Sequence, residues 1–407
     1  MGAETIFNKL LSLQGAFVRG VTFRCEREEH TIIADVVRRT RLHRCPRCAF
    51  RTAATYDQHP RTWRHLSLGK WRVLVRCTSH RITCPEHGVI NEAVPWAAPG
   101  SLFTLDFETL VAWLAREMNK TAVAALAKIS WPTVGNIIQR FVERNIDKKR
   151  LDDLFVIGVD EVSYRKGHKY ITVVANHASG APVWMAEGRS QKVLGSFFDE
   201  LGKERGEKLT TVSMDMAAGY IAEVRDRVPE ARIAFDPFHV VKLASEAVHD
   251  VRRTEARERK GSAEADVLKD ARWALLKAPE KLRPEQKLKL AEVASLNARV
   301  YRAYLLKEEL RAMYRCGPAA ATRHLKAFLV WASRSRLEPF VKLARTIRKH
   351  REGILAAIEL GVSNGRLEGI NNKIGVIKHR AYGFHSAAAL IAMVFLCCSD
   401  IEITLPI

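Results

Sequence analysis

Three acidic residues, Asp160, Asp215 and Glu368, have the chemistry of a divalent-metal site. Asp160 follows the apolar run 155–159, and Asp215 follows the run 209–214, as acids do where buried strands end at the edge of a sheet. Converging carboxylates repel one another. Two unit charges about 4 Å apart repel by about 1 kcal/mol in water and by about 4 kcal/mol at an effective dielectric of about 20. Magnesium or manganese ions offset this repulsion, and two such ions catalyse phosphoryl displacement. Either aspartate taken alone is more typical of a turn or a helix cap.

The segments around the two aspartates predict an α/β domain with a defined strand order. Hydrophobic patterning predicts, in chain order, three strands, a helix, a strand, a helix and a strand. Their bounds are 155–159, 170–175, 181–186, 191–201, 209–214, 217–228 and 232–235. This is the order of a ribonuclease-H-like fold, in which the first and fourth strands are neighbours, so Asp160 and Asp215 should lie side by side. The following stretch, to about residue 350, is rich in Lys, Arg, Glu, Ala and Leu and predicts a helical insertion.

Glu368 falls on a predicted amphipathic helix that follows this insertion. Ser363 is placed to cap the helix, and Asn371 and Asn372 should share the face of Glu368. The buried stripe of the helix is expected to comprise Leu367, Ile370, Ile374 and Ile377. A lone helical Glu is usually solvated, so the residues alone support Glu368 less well than the two aspartates.

Other charged side chains are expected near the three acids. Lys373, Lys378 and Arg380 would present cations to a phosphate backbone. Asp236 and His239 fall near the same sheet edge, where they could help to position the acids without binding the metal ions themselves. A turn-forming Asp-Pro pair and a packed histidine explain these two residues almost as well.

Four residues in the N-terminal hundred have the spacing of zinc ligands. They form a C-x-x-C pair and a C-x-x-H pair, which together supply the four soft ligands of a structural zinc site. The four are Cys45, Cys48, Cys84 and His87. The intervening segment is long but includes strand-like residues such as 71–75, which suit the hairpin of a zinc ribbon. Cys77 is a rival ligand and Cys25 a weaker one, while buried free cysteines are the alternative to any zinc site.

Three closely spaced helical patterns follow an expected linker at 94–100 and predict a helix-turn-helix. The helices are expected at about 105–118, 121–128 and 132–143, with Thr121 beginning the second helix and Pro132 the third. Such a motif places its last helix in the major groove of DNA. The residues expected on the groove side are Thr133, Asn136, Gln139 and Arg140. An ordinary three-helix bundle shares this periodicity, and the net charge favours DNA binding.

Charge and hydropathy limit the class of protein. Lys and Arg number 66 against 45 acidic residues, which gives a net charge of +21 and favours a polyanionic partner such as nucleic acid. The N-terminus has no pattern of a secretory signal. The apolar run 387–398 is shorter than the about 20 residues of a membrane span, so it predicts a buried helix and a protein without membrane association. Cysteines grouped as metal ligands fit a reducing cytoplasm.

Taken in order, these motifs resemble the ISL-three family of bacterial insertion-sequence transposases, which carry a DDE catalytic triad. The resemblance covers nearly the whole chain. It begins with the C-x-x-C and C-x-x-H pairs, the CPEHG and VPWA runs and the helix-turn-helix. It continues with GVDE around Asp160, SMD at Asp215, DPFHVVK at 236–242, EGINNKI around Glu368 and RAYGF at 380–384. Each motif alone is weak, but their order is specific.

The resemblance implies that Asp160, Asp215 and Glu368 form the triad, with the helical insertion before Glu368. It also implies binding of double-stranded DNA at terminal inverted repeats, cleavage of the element ends, and joining of the 3′-hydroxyls to target DNA. A homodimer or higher oligomer would hold the paired ends. The protein would be located in the bacterial cytoplasm, in association with the nucleoid. A four-cysteine ribbon is common in the family, whereas here His87 would replace one ligand, which leaves the role of Cys77 open.

The expected architecture is a multidomain α+β fold: a zinc ribbon, a helix-turn-helix and a ribonuclease-H-like domain interrupted by helices. The expected boundaries are 1–100, 101–150, 151–242, 243–350 and 351–407. Two other functions stay open: a DNA-binding repressor or domesticated relative that performs no catalysis, and a nuclease that cuts DNA without joining it. The presence of all three acids argues against the repressor.

Overall fold

The computed structural model describes residues 2–26, 29–362 and 365–406. The chain forms two compact units. The first unit comprises Met1–Asp147, Arg380–Tyr382 and Ala392–Ile407, and the second comprises Lys148–His379 and Gly383–Ile391. Ser363, the expected helix cap, lies outside the described residues.

The first unit begins with helix α1 (Ala3–Leu11), which is followed by seven strands. The strands are β1 (Ala16–Glu26), β2 (Glu29–Arg38), β3 (His43–Arg44), β4 (Arg51–Thr52), β5 (Asp57–Arg64), β6 (Arg72–Cys84) and β7 (Gly88–Asn91). Five of them form a sheet in the order β1-β2-β6-β5, with β7 paired to β6, and β3 and β4 form a small separate hairpin. Strand β6 alternates buried and more exposed residues, as expected for a strand with one face in a core.

The core of this sheet contradicts the expected linker at 94–100. Trp96 is 3% exposed and packs edge-to-face on Trp63, with ring centroids 5.5 Å apart. Ala97 is buried in the same cluster. A large apolar ring beside an open sheet face is more stable packed than solvated, so this segment belongs to the core although its prolines are typical of a linker.

Three helices complete the main part of the first unit: α2 (Leu105–Glu117), α3 (Lys120–Ala127) and α4 (Trp131–Asn145). Their side-chain caps are Thr104, Asn119 and Ser130, so α3 begins one residue earlier than the expected Thr121. The predicted inward stripe of α4 is confirmed, since Val134, Ile137, Ile138 and Phe141 are all buried. The tight α3–α4 turn is that of a helix-turn-helix.

The second unit contains a five-stranded sheet with helices on the chain segments between and after its strands. Its sheet elements and intervening helices are β8 (Val156–Arg165), β9 (Lys169–Asn176), β10 (Pro182–Glu187), α5 (Gln191–Leu201), α6 (Lys203–Gly206), β11 (Thr211–Met214), α7 (Ala218–Arg227) and β12 (Arg232–Phe235). The strand order is β10-β9-β8-β11-β12, so the first and fourth strands are neighbours, as predicted. Strands β8, β11 and β12 run parallel, and β9 is antiparallel to both of its neighbours, β8 and β10.

The remainder of the described chain is helical. The helices are α8 (Pro237–Glu258), α9 (Ala263–Asp270), α10 (Arg272–Leu276), α11 (Pro284–Leu296), α12 (Ala298–Ala312), α13 (Pro318–Arg334), α14 (Glu338–Lys349), α15 (Arg351–Glu359), α16 (Gly365–Arg380) and α17 (Ala387–Cys398), with short 3-10 turns at Pro279–Lys281 and Met313–Arg315. The expected apolar C-terminal helix is therefore α17. In the described part of the chain, no helix is both long and apolar enough to cross a bilayer.

Candidate functional site

Asp160 lies on β8, and Asp215 directly follows the adjacent strand β11. The parallel ladder pairs Val156 of β8 with Thr211 of β11, and Gly158 with Ser213. Continued by two residues, this register places Asp160 beside Asp215, which directly follows the end of β11. The expectation that the two acids are neighbours agrees with this geometry.

The expected end of the first strand was wrong. Strand β8 continues through Asp160 to Arg165, because residues 160–165 keep pairing with the antiparallel strand β9 after the parallel partner β11 has ended. Asp160 is opposite Val173 in that ladder. Asp160 therefore lies just beyond the residues of β8 that pair with β11, while β9 still pairs with the backbone of β8 at this point.

Glu368 is carried by helix α16, whose predicted buried stripe is confirmed: Leu367, Ile370, Ile374 and Ile377 are buried. Leu367 approaches the sheet at Gly158, where an added Cβ would lie 2.1 Å from Leu367 Cδ1. Only glycine permits this close approach of the helix to β8. Glu368 directly follows Leu367 on the helix, and Asp160 lies two residues after Gly158 on the strand. The contact therefore helps to position both acids.

A cleft of about 420 Å³ brings residues from three segments together. Asp160, Glu161, Asp236, His239, Glu368 and Asn371 line it, together with Pro237, Phe238 and Gly365. Glu368 is exposed and Asp160 half-buried. Asp215 does not line the cleft, and its Oδ1 accepts a hydrogen bond from the Ala217 amide at 3.0 Å.

Asp236 and His239 combine the two roles considered for them. Asp236 caps α8, since its Oδ1 accepts a hydrogen bond from the Phe238 amide at 3.2 Å. Its Oδ2 lies 3.0 Å from Nδ1 of His239, and both residues line the cleft. The hydrogen bond with Asp236 raises the pKa of His239, and the charges of Asp160 and Asp215 raise it further.

Asn371 is the residue of the cleft whose role the sequence did not identify. Its Nδ2 donates a hydrogen bond of 2.6 Å to Oδ2 of Asp160, and its Oδ1 is buried without a partner among the described residues. The other carboxylate oxygen of Asp160 accepts from the Glu161 amide at 2.7 Å. Asp160 is thereby held in one orientation, and the residue that holds it also carries a buried, unpartnered acceptor.

The electrostatics of the cleft favour a cation. Burial raises the pKa of Asp160, against the hydrogen bonds from Glu161 and Asn371, and the charge of Asp215 raises it further. Burial and the Asp215 charge likewise raise the pKa of Glu161. Carboxylates that resist ionisation in each other's presence gain from a hard cation, and the oxygen-rich donors, with the orphaned Oδ1 of Asn371, fit magnesium or manganese. The three acids do not have ligand atoms all within 4.8 Å of one another, on the described residues.

The predicted zinc ligands come together in the first unit. The ligand atoms of Cys45, Cys48, Cys84 and His87 all lie within 4.8 Å of one another. Three of the separations are 3.6 Å between Cys48 Sγ and Cys84 Sγ, 3.5 Å between Cys84 Sγ and His87 Nδ1, and 3.8 Å between Cys45 Sγ and His87 Nδ1. The rival Cys77 lies in the core of the large sheet, and Cys25 is exposed.

A second polar cluster in this unit had no signal in residue spacing. His43, His80 and Glu92 also have ligand atoms within 4.8 Å of one another. The buried carboxylate of Glu92 forms an ion pair with Arg38 and lies 2.6 Å and 2.9 Å from Nδ1 of His43 and His80. The Arg38 guanidinium already supplies the positive charge, so this cluster joins β2, β3, β6 and the segment after β7 rather than offering a cation site.

The expected groove-side residues of α4 differ in their surroundings. Asn136 is exposed, and Thr133 and Gln139 are half-exposed. Arg140, by contrast, donates two hydrogen bonds of 2.7 and 2.9 Å to Glu108 of α2, whose side chain is fully buried. Arg144 donates a third bond to Glu108, at 3.0 Å. A buried carboxylate requires such partners, so Arg140 joins α4 to α2.

The predicted cations after Glu368 are also placed differently from one another. Lys373 is exposed. Lys378 donates to the carbonyl of Ser163. Arg380 donates to the carbonyls of Arg116 and Ala115, at 2.6 and 3.0 Å, where α2 ends.

Two family models match the chain. The DDE transposase model of family ISL3, described as "Transposase", matches residues 157–394. The model described as "Helix-turn-helix domain of transposase family ISL3" matches residues 92–142. These two matches cover the residues of the cleft, α2, α3, and α4 as far as residue 142.

Curated relatives agree with the family models. The chain is 42% identical over 393 residues to the transposase for insertion sequence element IS1557 of Mycobacterium tuberculosis strain CDC 1551 / Oshkosh, which covers 90% of this chain and 88% of that protein. The match to the protein of the same description in strain H37Rv has the same values. The transposase for insertion sequence element IS1001 of Bordetella parapertussis is 27% identical over 344 residues, with 84% and 85% covered.

Proposed function

We propose, since the chain belongs to the ISL3 (ISL-three) family of insertion-sequence transposases, that it cuts the ends of its element and joins the 3′-hydroxyls to target DNA at the cleft of Asp160. The observation that carries this proposal is the common location of Asp160, Glu368 and Asn371 in one cleft, with Asp215 directly after the end of the neighbouring strand β11. The strand order supports a ribonuclease-H-like fold, and α8 to α15 would be the helical insertion within it.

Asp160, Asp215 and Glu368 would hold magnesium or manganese ions, as the DDE family implies. When bound, two such ions stabilise the charge on the attacking and leaving oxygens of an in-line phosphoryl displacement. The protein's own contribution is positional. Asn371 and the Glu161 amide orient Asp160, the Gly158–Leu367 contact fixes the helix of Glu368, and the Asp236–His239 pair places a positively polarised ring at the cleft.

The first unit would deliver DNA to this site. A helix-turn-helix model implies DNA binding, and Thr133, Asn136 and Gln139 of α4 would contact base edges in the terminal inverted repeats. Arg140 would act through its ion pair with Glu108 by setting the angle of α4. A homodimer or higher oligomer would pair the two ends, and Lys373 would contact the backbone of the bound DNA.

Zinc is the metal we propose for the Cys45, Cys48, Cys84 and His87 cluster. Three thiolates and one imidazole suit a closed tetrahedral zinc site. The separations of 3.5 to 3.8 Å between ligand atoms are those of groups that could share one ion. Such a site stabilises the fold and does not take part in the reaction.

The proposed triad is tested with Asp160→Asn and Glu368→Gln. Each variant should lose magnesium-dependent cleavage of a duplex carrying the repeat sequence that flanks the reading frame, because a neutral amide cannot replace a carboxylate ligand. Each should still shift the same duplex in a gel. Asp226→Asn, on the exposed surface of α7, is the matched control and should cleave normally.

The outcome of this experiment separates the alternatives. Cleavage that persists in Asp160→Asn or Glu368→Gln would refute the triad. Wild-type protein that shifts the duplex in magnesium but never nicks it would be a DNA-binding repressor. Cut ends that are never joined to a second duplex would indicate a nuclease.

A further inference from the structure

Lys120, the first residue of α3, is a buried cation without a counter-ion. It is 8% exposed, and among the described residues no ion pair or hydrogen bond of its ammonium is found. Its Nζ lies over the face of the Trp131 ring, 4.4 Å from the ring centroid. Burial lowers the pKa of Lys120, and no acidic side chain in the described part of the chain opposes this effect.

This lysine lines a cavity of about 420 Å³ within the first unit. Asn119, Thr121, Trp131, Arg380 and Tyr382 contribute to its walls. The cavity lies within the size range of ligand pockets, about 300 to 1,000 Å³. We refer to it below as the Lys120–Tyr382 pocket.

Tyr382 presents an aromatic ring to solvent at this pocket. The residue is 96% exposed, more than any other large hydrophobic residue described. Tyr382 and Gly383 both have positive φ, of 53° and 102°, so the turn that follows α16 is sharp. Arg380 fixes the start of this turn through its bonds to the end of α2.

A buried ammonium and an exposed ring have complementary requirements. The ammonium lacks an anion, and burying an uncompensated charge is unfavourable. The ring offers a flat face of the kind on which nucleobases stack. A nucleotide supplies both missing partners in one molecule, since its phosphate is anionic and its base is aromatic.

We propose that the Lys120–Tyr382 pocket binds one nucleotide of the DNA, with a backbone phosphate at Lys120 and an unstacked base on Tyr382. The base must be one at a strand end or one extruded from the helix, because both faces of a base inside a duplex are covered by its neighbours. The proposal rests on the proposed function for its ligand, and adds a site where DNA that has left the double helix is held.

The base contact is tested by fluorescence anisotropy with the full-length protein in EDTA, which prevents cleavage. The two probes are a blunt duplex and the same duplex with a short single-stranded extension. Tyr382→Ala should bind the extended duplex about 5- to 150-fold more weakly than wild type does, and the blunt duplex almost unchanged. Tyr382→Phe keeps the ring and should bind both probes normally.

Equal losses on both probes in Tyr382→Ala, or no loss on either, would overturn the base contact. Because Tyr382 is almost fully exposed, its variants should fold normally, and their melting temperatures check this. The Tyr382 arm therefore decides the base contact even if a variant of Lys120 folds poorly.

The phosphate contact is tested by the salt dependence of binding to the extended duplex. Lys120→Met should lower the slope of log K against log salt concentration by about 0.7 to 0.9, the value for one phosphate. Lys9→Met, which removes an exposed charge on α1, should leave the slope unchanged. An unchanged slope in Lys120→Met, or the same change in both variants, would refute a specific phosphate site.

The two proposals can fail separately. Wild-type protein that binds extended DNA through Tyr382 but never cuts DNA would refute the transposase chemistry and leave the pocket supported. Protein that cuts and joins DNA, with the probes bound equally by Tyr382→Ala and wild type, would refute the pocket alone.

Discussion

The amide of Asn371 is the neutral group in closest contact with an acid of the proposed triad. It donates to Asp160 over 2.6 Å, while its own oxygen is buried without a protein partner among the described residues. Replacing a group that orients a metal ligand typically lowers metal affinity or activity by about 10- to 100-fold. The side chain is therefore expected to matter for catalysis although it carries no charge.

Asn371→Leu should reduce magnesium-dependent cleavage about 10- to 100-fold and raise the magnesium concentration that gives half-maximal rate. The physical reason is that Asp160 loses its donor and the cleft loses an oxygen. Single-turnover cleavage over a magnesium series measures both effects. Asn372→Leu makes the same change at the exposed neighbouring position and should have little effect; equal effects of the two variants would contradict the role given to Asn371.

At the level of single residues, the sequence predicted what depends on local spacing. The four zinc-ligand candidates follow from two C-x-x-C/H pairs, and the structure brings them together. The contact between Asn371 and Asp160 joins residues 211 positions apart, and it depends on how α16 packs against the sheet. Arg140 illustrates the same limit, because a long side chain can reach back from a predicted exposed face to a buried carboxylate.

Among the elements, α16 and β8 approach each other most tightly at Gly158. A Cβ at this position would lie 2.1 Å from Leu367 Cδ1, and Leu367 is 1% exposed with little room to move. The two elements carry Glu368 and Asp160. Their separation therefore sets the distance between two of the proposed metal ligands.

Gly158→Ala should destabilise the second unit by about 1 to 3 kcal/mol, the usual cost of overpacking, and should reduce cleavage because α16 must shift. Urea unfolding and the cleavage assay measure these effects. Adding Leu367→Ala removes the obstructing side chain, so the double variant should be more stable than the sum of the single changes implies. Strict additivity would contradict the proposed contact.

Gly375→Ala is the matched control within α16. Apart from its chain neighbours and the backbone of its own helix, no heavy atom of the described residues lies within 4 Å of its added Cβ. Alanine in a helix interior is better than glycine by about 0.5 to 1 kcal/mol. This variant should therefore be slightly stabilised and fully active, which separates a clash from a general effect of glycine replacement.

Element types were predicted better than element ends. The strands and helices predicted from residue 155 to residue 235 occur in the predicted order, because apolar runs and their periodicity are local, but the short helix α6 between α5 and β11 was not predicted. The end of β8 was missed because residues 160–165 are mixed in polarity, and pairing with β9 maintains the strand there. The burial of Trp96 was missed for a similar reason, since its core partner Trp63 is distant in sequence.

For the whole molecule, the division into two units predicts two separable unfolding events. The zinc cluster lies in the first unit and the cleft in the second. Structural zinc sites contribute on the order of 10 kcal/mol to folding at pH 7. Loss of zinc should therefore affect one unfolding event strongly and the other little.

Cys45→Ser, or treatment with a strong chelator, should remove zinc and shift or abolish the calorimetric transition of the first unit. Elemental analysis should find one zinc per wild-type chain. Cys77→Ser should retain the metal, because Cys77 is not in the cluster. Zinc lost from Cys77→Ser but kept in His87→Ala would show that the ligand set is wrong.

Helix α17 passes from the second unit to the first, and Pro406 lines a cavity with Leu10 and Leu11. Almost all of the 407 residues must therefore be synthesised before either unit can fold completely. A message truncated after the codon for Glu368 would encode all three acids but omit buried residues such as Phe395 and Leu396. We expect proteases to clear such fragments, because the core that these residues complete would be left open.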